Sequence, residues 1–224
     1  MQELLNQIFL GCNYNDKKIK SQIDNLKIRL EKDTPLSCVI IDKRGGKSAR
    51  DLWRDIKDHI EQSAACVFDL TGFRPNVVLE LGYALSIKSE QQVFITFRKR
   101  KSKGRVPKWL LSDISHLQRF DYISIHDLES HVRDQLAKIP YSSKLDAFAE
   151  ACKKTNAEAK YRQLGLLVLQ KLRDEGNKSD QQLKSMIVGS ACRVTQLTRL
   201  LKKERLVVRS RGRNGKYSLP ISEV

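Results

Sequence analysis

The amino-acid sequence predicts an α/β fold: a five-stranded parallel sheet with flanking helices, followed by a small C-terminal domain. Two observations lead to this prediction. Short apolar runs alternate with segments of helical apolar spacing over residues 7–138, which is typical of parallel sheets. The pattern then breaks at Pro140, and a basic segment with a different pattern begins near residue 158. Apolar residues make up 40% of the 224 residues, enough for a substantial core.

Five strands are predicted in the first part of the chain. Each is a short apolar run, as expected for parallel strands buried on both faces: residues 7–11, 37–42, 64–70, 91–97 and 120–125. The helices that follow them repeat apolar residues every three or four positions: residues 17–32, 49–62, 75–87 and 127–138. This order is similar to that of flavodoxin-like folds.

Ligands of such sheets bind outside the carboxyl ends of the strands. That edge gathers residues 11–15, 42–46, 69–76 and the segment after residue 97. From this region and the helix beside it we take the candidate substrate-binding residues Gly11, Asn15, Asp42, Arg74, Asn76 and Tyr83. Residues 98–108 hold seven basic side chains and no acid, so they form either a solvated loop or a contact to phosphate or nucleic acid.

Composition narrows the class of protein. The formal net charge of +16 favours anionic partners, nucleic acid first, although a basic surface also serves solubility alone. Five dispersed cysteines without a CxxC pair, and four histidines without ligand spacing, argue against a metal site and suit a reducing compartment. No apolar run is long enough to span a membrane, and no signal peptide is evident. We therefore expect a soluble cytoplasmic protein.

The C-terminal part has its own pattern. We divide the chain into a domain of residues 1–139, a linker or connecting helix of residues 140–157, and a domain of residues 158–224. In the last, helices are predicted over residues 159–174, 180–188 and 192–204, and a basic hairpin with a glycine-bearing tip follows. Ser179 and Gln182 form the sequence of a capping box at the start of the second helix.

These three helices and the hairpin resemble a winged helix–turn–helix. In that family the third helix enters the major groove and the wing contacts the backbone or the minor groove. The resemblance implies nucleic-acid binding by Arg193, Thr195, Gln196, Arg199, Lys202, Arg209, Arg211 and Arg213. Winged helices also serve as protein-docking modules, and that alternative stays open.

One motif of the first domain is specific. "FDLTGFRPNVVLELGYALS", residues 68–86, resembles the nucleoside 2-deoxyribosyltransferase-like and TIR-like group, in which a strand ends in Asp and a Glu-Leu-Gly-x-Ala segment lies on the next helix. The resemblance extends over residues 7–138 and implies that Glu80 is a catalytic carboxylate for N-glycosidic bond cleavage, with Asp69 as a second catalytic acid. Alternatively, Glu80 lies on a solvent-facing helix surface and Asp69 only caps loop amides.

The sequence also departs from that group. The deoxyribosyltransferases carry another acid in the loop before the Glu segment, whereas here the loop reads Gly72, Phe73, Arg74. The missing acid weakens the prediction of nucleoside transfer. The guanidinium of Arg74 suits a phosphorylated substrate such as NAD or a nucleotide.

We therefore expect a nucleotide N-glycosidase that requires no cofactor. The combination with a winged helix resembles toxic effectors of bacterial anti-phage defence, including retron effectors, in which a nucleic acid or a partner complex controls the enzyme. The group also completes its pockets across subunits, which implies a homo-oligomer. Two alternatives remain: a nucleotide-sensing DNA-binding regulator without turnover, and an interaction adaptor.

Overall fold

The predicted alternation of strands and helices is present in the structure. The computed structural model describes residues 4–41, 48–99, 119–155, 157–186, 193–210 and 215–220. These residues form two compact units: one within residues 7–32 and 38–139, the other within residues 2–6, 33–37 and 140–224. No helix in these described ranges is long and apolar enough to cross a membrane.

The first unit is built around a parallel sheet. Its elements are β1 (Leu4–Gly11), α1 (Lys17–Asp33), β2 (Ser37–Val39), α2 (Ala49–Gln62), β3 (Ser63–Asp69), α3 (Pro75–Ile87), β4 (Val93–Arg98), β5 (Arg119–Tyr122) and α4 (Ile125–Leu136). The strand order β2-β1-β3-β4-β5 confirms the predicted five-stranded parallel sheet. The order changes direction between β1 and β3, and parallel sheets bind ligands at such a point.

The strand bounds differ from the predicted ones at β1, which begins at Leu4, and most clearly at β2, β4 and β5. β2 stops at Val39, and a 3-10 turn over Glu90–Gln92 precedes β4. That turn carries a capping box, since the Ser89 N–H donates to the Gln92 side chain at 3.1 Å. β5 is short because α4 begins at Ile125, where Ser124 and Asp127 cap it reciprocally. The apolar pattern continues past these caps, so it could not show where each strand ends.

β3 lies at the centre of the sheet and is buried along its whole length. Phe68 packs against Phe9 of β1 with a ring-centroid distance of 5.8 Å. Cys66 is fully buried in the same cluster, and Cys38 is also buried, so both are small core residues. This packing fixes the carboxyl ends of β1 and β3 side by side.

Helix α3 buries less of its apolar set than its sequence suggests. Val77 and Leu81 are buried against the sheet, but Val78 is 42% exposed and Leu79 is 60% exposed. Successive helical residues are rotated by about 100°, so adjacent apolar residues cannot all face the same sheet. The exposed pair is therefore available to line a surface.

The second unit contains helices and a small antiparallel sheet. Its elements are α5 (Pro140–Lys153), α6 (Glu158–Glu175), β6 (Lys178–Ser179), α7 (Asp180–Met186), α8 (Val194–Lys203), β7 (Val208–Arg209) and β8 (Lys216–Ser218). The strand order is β6-β8-β7, with both pairings antiparallel. The capping box before α7 is confirmed: the Gln182 N–H donates to Ser179 Oγ at 3.3 Å, and the Ser179 N–H donates to Gln182 Oε1 at 2.8 Å.

Helices α5 and α6 pack closely where a glycine faces an aromatic ring. A Cβ atom on Gly165 of α6 would lie 2.2 Å from Cζ of Phe148 of α5. Both residues are buried. The helix crossing therefore depends on the absence of a side chain at this position.

We predict opposite effects for two glycine-to-alanine changes. Gly165→Ala forces Phe148 out of place and lowers the free energy of unfolding by about 1–3 kcal/mol. Gly82→Ala places a methyl group where nothing lies within 4 Å, and it raises the free energy of unfolding by about 0.5–1 kcal/mol because alanine favours the helix. Urea unfolding measures both, and equal effects would contradict the assigned packing.

Candidate functional site

Two neighbouring cavities open at the carboxyl edge of the parallel sheet. The first, of about 650 Å³, is called the Glu80 cavity after the acid that lines it. The second, of about 1020 Å³, is called the basic cavity. Asn13, Asn15 and Arg74 line both cavities. The two are therefore adjacent regions of one site.

Glu80 lies at the wall of the first cavity, where β1 ends. An ideal Cβ on Gly11 would lie 3.1 Å from Glu80 Oε2 and 2.6 Å from Cδ1 of Phe68. Glycine at this position thus allows the carboxylate to approach the end of the strand. The half-buried side chain lines the cavity, so Glu80 does not simply face bulk solvent.

Two neutral side chains share this wall. Burial raises the pKa of the Cys12 thiol to about 12, with the charges of Asp69 and Glu80 adding to the effect. Burial likewise raises the pKa of Tyr14, whose hydroxyl donates to the Leu10 carbonyl at 3.2 Å. Both groups keep their protons at neutral pH. Neither is therefore an ionised nucleophile or a ready proton donor.

An aromatic and aliphatic wall faces the acid. Leu52, Trp53 and Ile56 of α2 line this cavity together with the exposed Leu79 of α3. Asn15 and Asn76 add amide groups. A flat heterocycle fits such a wall by stacking, and the amides can bond to hydroxyl groups.

Asp69 is placed differently from Glu80. It is 1% exposed and is not among the residues that line either cavity. One oxygen accepts the Thr71 N–H at 2.8 Å, and the other accepts the hydroxyl of Tyr122 on β5. Burial raises the pKa of the Asp69 carboxyl, while these hydrogen bonds and the nearby Arg98 oppose the rise. The carboxylate thus holds the loop after β3.

That loop has an unusual backbone. Gly72 and Phe73 have φ values of +82° and +46°, a region that glycine tolerates and phenylalanine rarely adopts. The turn closes with the Phe73 N–H bonded to the Leu70 carbonyl at 3.0 Å. Phe73 then packs on Phe97 with a centroid distance of 5.4 Å. These contacts hold Arg74 at the N-cap position of α3, where its side chain makes no capping hydrogen bond, and Arg74 lines both cavities.

The basic cavity carries an excess of positive charge. Five basic side chains line it, against the single carboxylate of Asp16: Lys17, Lys18, Arg74, Arg98 and Lys99. The Asp16 side chain caps the N-terminus of α1, because its Oδ1 accepts the Lys18 and Ile19 N–H groups at 2.9 and 3.3 Å. The first two residues of the predicted basic segment thus lie at the site. Residues 100–118 lie outside the described residues.

Most of the predicted substrate-binding residues meet at this edge. Gly11 ends β1 at a point where an added Cβ would meet the Glu80 carboxylate, while Asn15, Arg74 and Asn76 line the Glu80 cavity. Tyr83 does not line either cavity, because its hydroxyl donates to Glu61 and its ring packs edge-on against Trp53 at 5.8 Å. Asp42 lies outside the described residues.

Several residues that line the Glu80 cavity were not predicted individually from the sequence. Asn13 and Tyr14 lie in the segment assigned to the ligand edge, so strand topology already pointed to them. Trp53 carries no such signal, because its spacing on α2 is that of any buried helix face. Among the described residues, no group of three or more His, Cys, Asp or Glu side chains could hold a metal ion.

The second unit presents the predicted basic helix. Leu197 and Leu201 of α8 are buried. The preceding residue Arg193 is exposed, as are Thr195, Gln196, Arg199 and Lys202 of the helix. The Tyr161 hydroxyl fixes the start of this helix, since it accepts the Arg193 N–H at 3.1 Å and donates to Gln196 Oε1 at 2.8 Å. One side of the helix is thus available to a partner.

Arg209 is held within the second unit. Its guanidinium donates to Asp180 at 2.9 Å and lies 5.8 Å from the centre of the Tyr217 ring. The side chain therefore joins β7 to α7. Arg211 and Arg213 lie outside the described residues.

Comparisons with known proteins do not identify the chain. No protein-family profile matches it, and no curated protein matches it. Among solved structures, the chain is similar to Methanosarcina barkeri Roco2 RocCORdC bound to GDP. The match has 9% sequence identity and a TM-score of 0.39, and it covers 98% of this chain and 74% of the other. A likeness at this level assigns no function.

We predict that the Asp69–Tyr122 hydrogen bond stabilises the first unit. Tyr122→Phe leaves the buried carboxylate short of a donor and lowers the free energy of unfolding by about 1–3 kcal/mol. The Tyr122 hydroxyl stabilises the ionised form of the Asp69 carboxyl. The loss of unfolding free energy in Tyr122→Phe is therefore larger at about pH 8 than at about pH 4, where Asp69 is closer to protonation.

Tyr141→Phe is the matched control. The Tyr141 hydroxyl is buried without a hydrogen-bond partner among the described residues, so its removal leaves stability unchanged or improves it. Thermal unfolding at both pH values measures the two variants. A Tyr122→Phe protein as stable as wild type would contradict the role assigned to Asp69.

Proposed function

We propose that the first unit is an N-glycosidase that cleaves the base–sugar bond of a nucleotide, with Glu80 as the catalytic carboxylate. The observation that carries this proposal is the position of Glu80, beside the glycine that ends β1 and in the wall of a cavity with an aromatic side. The strand order is that of flavodoxin-like sheets, whose ligands bind at this edge. The motif of residues 68–86 supports the same assignment.

The chemistry follows from the charge that develops as the bond breaks. The departing base takes the electron pair of the C–N bond, and positive charge builds on the anomeric carbon and ring oxygen. The ionised Glu80 stabilises this oxocarbenium character, or captures the carbon as a covalent ester. Water, or another acceptor hydroxyl, then adds its oxygen to the anomeric carbon, displacing the Glu80 carboxylate where an ester has formed. The proton that it releases neutralises the departed base.

The remaining side chains fit a nucleotide. Trp53 offers a face for the base, Asn15 and Asn76 reach sugar hydroxyls, and Arg74 binds the phosphate. The geometry favours Asp69 as a positioning residue, because it fixes the loop that presents Arg74 and does not line the cavity. Asp69, which the sequence predicted as a second catalytic acid, then contributes by fixing the loop that carries Arg74.

A second function has one observation in its favour. Glu80 is the one carboxylate among the described residues that line its cavity. Glycosidases generally use a second acid to protonate the leaving group. A site without that acid suits a sensor that binds a nucleotide and does not turn it over.

We further propose that the second unit is a winged helix that binds nucleic acid. The antiparallel sheet, the amphipathic α8 and the basic residues Lys184, Arg199, Lys202 and Lys203 around one groove support this. Together the two units suit a toxic effector of bacterial defence whose enzyme is controlled by nucleic acid or a nucleoprotein partner. A homo-oligomer stays a prediction.

The glycosidase is tested by base release. Purified protein is incubated with NAD and a panel of nucleotides, with and without nucleic acid, and free base is measured by chromatography. Glu80→Gln keeps the shape but removes the charge, and it lowers kcat at least 10²-fold, on the order of a lost catalytic group. Glu90→Gln, an exposed acid outside both cavities, retains activity. Binding without release by wild type would favour the sensor.

Nucleic-acid binding is tested with a double variant of α8. Arg199→Ala/Lys202→Ala removes two exposed cations, so the affinity for duplex DNA or RNA falls about tenfold or more and its salt dependence becomes shallower. Lys154→Ala/Lys160→Ala removes two exposed cations elsewhere in the same unit and has a smaller effect. Equal losses in the two variants would indicate attraction by net charge alone.

A further inference from the structure

We propose that the basic cavity is a subsite for the phosphoanhydride group of the substrate, so that the enzyme acts on nucleotides with two or more linked phosphates. This inference rests on the proposed function, because it assigns the base and sugar to the Glu80 cavity. It adds a second subsite with its own residues and selects a class of nucleotide. Nucleosides and monophosphates then become poor substrates.

The positive charge of the basic cavity is the first observation in favour of a phosphate subsite. Its basic side chains come from three separate segments: the first turn of α1, the loop after β3 and the end of β4. Within the described ranges, no carboxylate forms an ion pair with Lys17, Lys18, Arg74 or Arg98. Lys99 lies 4.0 Å from Asp121, a weak pair at the surface. Cations gathered in a concave site attract a multiply charged anion.

The polar groups of the cavity fit the same ligand. Thr71, Asn13 and Asn15 line it, and Gly72 brings bare backbone to its surface. None of the described residues that line it is aromatic. These described residues therefore offer charge and hydrogen bonds but no aromatic face for a second base.

Because the two cavities are connected, they fix the order in which the base, sugar and phosphates of a nucleotide bind. Arg74 lines both, at the uncapped start of α3, and it stands between Glu80 on one side and Lys17 and Lys18 on the other. A base against Trp53 and a sugar at Glu80 direct the 5′ phosphate toward Arg74. The next phosphates then extend into the basic cavity. The pyrophosphate is the shared chemistry of nucleoside triphosphates and of dinucleotides.

The test measures binding apart from turnover. Inorganic tripolyphosphate is titrated calorimetrically into the purified 224-residue chain at low and moderate salt. Lys17→Ala/Lys18→Ala removes two exposed cations from the cavity, and we expect at least tenfold weaker binding. Lys32→Ala/Lys138→Ala removes two exposed cations of the same unit that line neither cavity. We expect this control to bind like wild type.

A second experiment compares kcat/KM for nucleoside, monophosphate, triphosphate and dinucleotide substrates. We expect kcat/KM to be at least tenfold higher for substrates with linked phosphates than for the nucleoside, and this ratio to fall at least tenfold in Lys17→Ala/Lys18→Ala. The ranking of triphosphate against dinucleotide identifies the source of the pyrophosphate.

The outcomes separate the two proposals. Tripolyphosphate binding that depends on Lys17 and Lys18, with no base released from any substrate, supports the subsite and refutes the glycosidase. Base release with no preference for linked phosphates refutes the subsite and supports the glycosidase. Absent tripolyphosphate binding, or equal weakening in the two double variants, also overturns the subsite.

Discussion

The buried hydrogen bond between Asp69 and Tyr122 is the interaction on which the candidate site depends. It joins the end of β3 to β5 across β4, while the other carboxylate oxygen holds the Thr71 amide. A buried charge without these donors would be costly. The turn of Gly72 and Phe73, with its positive φ values, is thereby held in the one arrangement that presents Arg74 between the two cavities.

Two kinds of carboxylate therefore meet at this edge with different tasks. Asp69 has its hydrogen-bonding capacity used by the protein itself. Glu80 lies within a cavity wall, where Gly11 allows it to approach the strand. The motif contains both acids, but only the three-dimensional arrangement distinguishes the acid that holds the loop from the acid that lines the cavity.

The sequence predicted the parallel sheet because its strands are apolar runs buried on both faces. It placed Arg74 and Asn76 at the ligand edge because strand order fixes which loops meet, whereas Glu80 was proposed from the resemblance of its motif. It could not place Tyr83, whose hydroxyl is used by Glu61. β6 was not predicted because a strand of two residues is too short to show a periodic pattern. The basic cavity was not predicted either, because Lys17, Lys18 and Arg98 are distant in sequence and come together only in the folded chain.

The protonated state of Cys12 has a consequence for the chemistry that the site tolerates. Peroxides and alkylating agents attack thiolates, and a thiol with a pKa of about 12 supplies almost none at neutral pH. The buried Cys12 is therefore expected to react slowly with such reagents. Thiol-directed inhibitors would react slowly here for the same reason, despite a sulfur atom beside the candidate carboxylate.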